Sequence, residues 1–123
     1  MSKSFEDLIV WQKAHQYVLS IYHVTKVYPK EETFGLTNQI RRAATSITAN
    51  IAEGYTRLGH KEKLRFYNIS QGSLEETKNF LLLSRDLGYI SSADKEELYA
   101  KALEIGKLLY SYSHSLTKLI HTT

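Results

Sequence analysis

The segment FGLTNQIRRAATSITANIAEG, residues 34–54, constrains the fold more than any other part of the chain. Leu36, Ile40, Ala43, Ala44, Ile47 and Ile51 recur at steps of three and four, so one face of a helix gathers all of them. Gln39, Arg42, Ser46, Asn50 and Glu53 recur in the same way on a neighbouring face. At roughly 100° per residue the two stripes lie about 110° apart. A helix built this way buries its apolar stripe in a core and sets a hydrogen-bonding stripe beside it. The arrangement implies two interfaces, one dry and one polar, or a dry interface with a solvated flank.

The flanking sequence supplies partners for that helix. Trp11, Ala14, Val18, Ile21, Thr25 and Tyr28 form a heptad-like seam that ends at Pro29. Downstream, Tyr67, Ser70, Leu74, Thr77, Leu81 and Ser84 form another seam. Phe66, Ile69, Ser73, Phe80, Leu83 and Leu87 lie on an adjacent face of the same segment. Gly72 sits inside it, either admitting a neighbouring helix or simply tolerated. Gly88 is placed for a C-cap, and Ser91 or Ser92 for the next N-cap. Leu98, Ala102, Ile105, Leu109, Tyr112, Leu116 and Leu119 complete the series. Helices are therefore predicted at about 6–28, 36–55, 61–87 and 92–120. With short loops between them, the economical architecture is all-α: one up-down-up-down four-helix bundle domain over 1–123.

Composition narrows the chemistry. The 123 residues include no cysteine, which excludes disulfides, thiol nucleophiles and cysteine-ligated metals. No apolar run approaches the roughly 20 residues of a membrane span, and MSKSFEDLIVW lacks a signal-peptide core. A cytoplasmic protein with no membrane association is expected. No glutamate has a histidine three residues on, so the di-metal motif of helical bundles is missing. The five histidines form no HExxH pair, and GxSxG, GxGxxG and P-loop motifs are absent. We expect neither metal nor cofactor and no catalysis. Glu53 should pair with a basic group, and Glu75 or Glu76 with Arg42 or Lys78.

Charge permits an anionic partner without demanding one. The net charge is +3. Residues 1–65 hold ten basic and six acidic side chains, a balance of +4, and the remainder is at −1. Arg41, Arg42, Arg57, Lys61, Lys63 and Arg65 gather around the predicted turn between the second and third helices. Arg41 falls opposite the apolar stripe and should be exposed. Such residues contact phosphates with little base reading, and Tyr55 and Tyr67 would stack on unpaired bases. Nine tyrosines are many for this length. Tyr55, Tyr89, Tyr99 and Tyr110 fall outside the seams, as expected for half-buried interface residues.

QIRRAATSITANIAEG, with FGLT before it, the N-terminal FEDLIVWQKA and the later RFYNISQGSLEETKNFLLLSRDLGYIS, resembles the proteins encoded in intervening sequences of bacterial 23S ribosomal RNA genes. More distantly it is similar to the accessory variability determinant of diversity-generating retroelements. The resemblance implies a four-helix bundle, a ring-like homo-pentamer and nucleic acid, RNA foremost, as the partner. At +3 this chain is less basic than the retroelement protein, which argues against a reverse-transcriptase partner. The competing expectation is a scaffolding oligomer whose partner is a protein.

Overall fold

The computed structural model describes residues 3–122. Among the described residues there are four α-helices: α1 (Ile9–Thr25), α2 (Leu36–Thr56), α3 (His60–Asp86) and α4 (Ser92–Thr122). Single 3₁₀ turns precede α1 (Phe5–Asp7) and α2 (Lys30–Glu32). Each helix packs on its sequence neighbours, and α4 closes the ring against α1. The result is an all-α, up-down-up-down four-helix bundle.

The first helix is shorter at both ends than its periodicity predicts. Ser4 Oγ accepts the Glu6 N–H at 3.2 Å and caps the 3₁₀ turn, while Leu8 is extended and separates that turn from α1. Glu6 and Asp7, within the predicted bounds of 6–28, therefore sit outside the helix. At the far end α1 stops at Thr25, before Pro29 is reached. The other three helices keep their predicted bounds to within two residues.

Three helix ends are closed by specific caps. Glu32 caps α2, its carboxylate accepting the Leu36 N–H at 3.0 Å and the Tyr89 O–H at 2.9 Å. These bonds, the Leu36 one foremost, hold the Glu32 carboxyl below its ordinary pKa, and the same Glu32 bond pushes the Tyr89 phenol up. Gly88 ends α3 with φ +80°, a conformation costly for any residue with a Cβ. The Tyr89 N–H then reaches the Ser84 carbonyl at 2.9 Å, the closing bond of a Schellman motif. Ser91 is the N-cap side chain of α4, accepting the Asp94 N–H at 3.0 Å.

All six apolar-stripe residues of α2 are buried, as is the whole first seam of α3. On α1 the seam is buried from Ala14 onward, but Val10 and Tyr17 are buried too. Tyr17 reaches across the core to Thr77, O to O 2.9 Å. Burial pushes its phenol up to about 12. Ser70 donates to the Ile47 carbonyl at 2.7 Å, tying α3 to α2. The second α3 face divides: Ser73 is buried, whereas Ile69, Leu83 and Leu87 remain at the surface. On α4, Leu119 is exposed and Tyr112 half-buried. Gly72 has no atom within 4 Å of where a Cβ would stand, so no helix of this chain approaches it.

Candidate nucleic-acid interface

The turn between α2 and α3 is three residues long, and Gly54 makes it possible. A Cβ at Gly54 would lie 2.8 Å from Tyr67 Cε1 and 3.2 Å from Phe66 Cβ, so only glycine lets α3 cross this closely. The α2 carbonyls left open at the end need donors, and Lys63 supplies them. Its ammonium donates to the carbonyls of Gly54 at 3.2 Å and Tyr55 at 2.8 Å. Burial pushes the Lys63 ammonium below its usual pKa. Lys63 thus serves the backbone and faces inward, unlike the other cations of the turn.

Arg57 and Arg65 converge on one ring. Their guanidinium carbons lie 4.7 and 4.5 Å from the centroid of Phe66. Arg57 also pairs with Glu53 at 2.8 Å and Arg65 with Glu62 at 3.2 Å, the former meeting the expectation for Glu53. Exposed pairs of this kind contribute at most about 1 kcal/mol, so either arginine exchanges its carboxylate for a phosphate at little cost. Lys61 and His60 are exposed beside them, and Leu58 stands almost wholly in solvent. By its spacing alone Phe66 is one more apolar residue of an α3 face. Its spacing from Arg65 and from the end of α2 was the available signal, but the stacking is tertiary.

The six basic residues do not form one patch. Arg41 and Arg42 precede Arg57 by about 16 residues of helix, roughly 24 Å along α2, and so lie toward its opposite end. Nor is Arg41 exposed as predicted. It is half-buried, with Nε donating to Thr25 Oγ1 at 2.8 Å, Nη2 to the Tyr22 carbonyl at 3.3 Å, and its guanidinium 4.7 Å from the Tyr22 ring. Arg41 stands on the flank of the apolar stripe, about 110° from its centre at roughly 100° per residue, and reaches the end of α1, where it binds as a helix-terminal cation. Arg42 is exposed and lines a groove of about 360 Å³ with Gln39, Ser46, Ser73 and Glu76. The polar stripe of α2 thus flanks α3: Ser46 and Ser73 hydroxyls lie 2.8 Å apart, and Asn50 donates to Ser46. Glu75 pairs with Lys78 at 2.9 Å.

Tyr67 is also unavailable for stacking on a base. It is buried against Tyr112, ring centroids 6.1 Å apart, and burial raises its phenol pKa. Arg57 and Arg65, stacked on Phe66, are the cations that converge, and Lys61 is exposed one helical turn before Arg65 on α3. Among the described residues no three His, Asp or Glu side chains group as metal ligands, and no helix is long and apolar enough to cross a membrane.

A bundle of four antiparallel helices with a cationic turn at one end is the class these observations define. Residues 6–111 match the family of the 23S rRNA-intervening sequence proteins, and the chain belongs to that family. A solved structure with the same fold is a protein with unknown function from the S23 ribosomal protein family of Bacteroides thetaiotaomicron. It is 28% identical, with a TM-score of 0.77, and the match covers 85% of this chain and 98% of that one. No curated protein matches the chain.

Proposed function

We propose that this protein is a non-catalytic nucleic-acid-binding protein of the cytoplasm that contacts phosphates through the α2–α3 turn. The observation carrying this reading is the stack of Arg57 and Arg65 on Phe66. Two guanidiniums held on one rigid ring lose little side-chain freedom on meeting a phosphate, and arginine binds phosphate with a planar, bidentate fork. Lys61 adds a third exposed charge in the first turn of α3. A family named for intervening sequences of 23S rRNA makes RNA the first polymer to test.

The working form is a homo-oligomer, with the pentamer as the state to test. Ile69, Leu83 and Leu87 leave apolar surface on α3, each 40% exposed or more, which favours association. A ring would present several copies of the turn to one polymer, so weak contacts act together. A scaffolding role with a protein partner is the second reading. It rests on a groove of about 630 Å³ between α1 and α4, lined by Leu19, Val24, Val27 and Ile90.

Binding of fluorescent structured RNA, single-stranded RNA and duplex DNA at about 50 mM salt tests the proposal, because phosphate contacts are strongest there. Micromolar or tighter binding that is lost in Arg57→Gln/Arg65→Gln is the expected result. No binding to any of the three overturns it.

A further inference from the structure

A second basic surface lies on α4. Leu103, Lys107, Tyr110, His114, Lys118 and His121 recur at three- and four-residue steps and are all exposed, forming one outward stripe. Tyr110 and His114 stack with ring planes 10° apart and centroids at 5.8 Å, and Tyr110 is 62% exposed. No Asp or Glu follows Glu104 in the sequence, and Glu104 itself pairs with Lys13 of α1. Lys107 and Lys118 enter no ion pair among the described residues. Beside the stripe runs a groove of about 450 Å³ between α3 and α4, lined by Gln71, Lys78, Lys107 and Ser111. Its one acid, Glu75, is paired with Lys78.

The stripe is positioned to continue the turn. Because α3 and α4 are antiparallel, with Tyr67 facing Tyr112, the last turns of α4 stand at the same end of the bundle as the α2–α3 turn. We infer that this face of α4 binds an unpaired nucleic-acid strand, Lys107 and Lys118 contacting phosphates and the Tyr110–His114 stack receiving a base. The two lysines are about 16 Å apart along the helix, with the aromatic pair between them. Aromatic rings accept any base face, but only a base free of a duplex can reach them. Charge alone would serve a duplex as well. The stacked pair is what selects the single strand.

The inference rests on the nucleic-acid reading above, and the test separates the two. Full-length protein is titrated into a labelled, unstructured 20-nucleotide RNA and into an RNA duplex of equal length. The variants are Tyr110→Ala, Lys107→Gln/Lys118→Gln and Arg57→Gln/Arg65→Gln, with circular dichroism checking that each is folded. Tyr110→Ala is expected to weaken single-strand binding about tenfold while changing duplex binding less than twofold. Lys107→Gln/Lys118→Gln should lower the single-strand salt slope by about 1.4. If both α4 variants bind like wild type while the arginine variant weakens, the α4 inference falls and the turn reading stands. If only the α4 variants weaken, the turn reading falls. A wild-type protein that binds neither RNA overturns both.

Discussion

Replacing Gly54 and Gly72 separately by alanine should change stability in opposite directions. Both lie inside helices, where alanine is favoured over glycine by up to about 1 kcal/mol. At Gly72 nothing opposes that gain, since no atom lies within 4 Å of the added methyl. At Gly54 the methyl would meet Tyr67 Cε1 at 2.8 Å, Tyr67 Cδ1 at 3.1 Å and Phe66 Cβ at 3.2 Å. Ordinary carbon contacts are about 3.5–4.0 Å, so the ring must retreat by roughly 0.7 Å or more. Tyr67 is buried against Tyr112 and has nowhere to go, and a Cβ moves only with its backbone. Overpacking of this kind costs about 1–3 kcal/mol. It exceeds the propensity gain, which is also smaller in the last turn of α2. Gly72→Ala should raise the melting temperature by about 2–4 °C and Gly54→Ala lower it by about 4 °C or more, read by circular dichroism. A Gly54→Ala protein as stable as Gly72→Ala would refute the close-approach argument.

Other expectations follow from the same contacts. Arg41→Ala should destabilise the fold by about 1–2 kcal/mol in urea titration, because it strips the end of α1 of its cation and two hydrogen bonds; in RNA binding it should behave like wild type. Tyr17 is neutral in the folded state up to about pH 12, while its unfolded phenol ionises near 10. Its contribution is therefore complete below pH 10 and lost as pH rises from 10 to 12, about 2–3 kcal/mol in all. Tyr17→Phe should flatten that alkaline limb of a stability–pH profile. Glu32 titrates with the opposite sign. Its folded pKa is depressed, so its support of α2 is present above pH 4.5 and fades as pH falls further, and Glu32→Gln should weaken the acid dependence. Sedimentation should show an assembly larger than a monomer, dispersed by Leu83→Lys/Leu87→Lys on the exposed face of α3.

The fold was legible because four stretches of strict three-four spacing each bury one face, and such spacing survives whatever the loops do. Tyr17 escaped because it stands one position off a narrow heptad seam, whereas α1 buries a wider face that takes in Val10 as well. The start of α1 was misplaced because Ser4 caps a separate turn, a choice made by local bonds and not by hydrophobic period. The candidate site was legible only in part. Arg57, Lys61 and Arg65 sit where their sequence neighbourhood suggested, but Arg41 and Lys63 each serve a helix terminus through contacts 16 and 8–9 residues away. Basic residues close in sequence along one straight helix are also spread along its length, which is why Arg42 left the cluster. The Glu32–Tyr89 bond spans 57 positions and has no local signature.

The central claim, that the α2–α3 turn recognises phosphate, is tested most directly by the salt dependence of RNA affinity. The logarithm of the binding constant is measured against the logarithm of salt concentration for wild type and for Arg57→Gln/Arg65→Gln. A steep negative slope for wild type, shallower in the variant by about 1.4 on single-stranded RNA, is the predicted result. Equal slopes for the two proteins would contradict it.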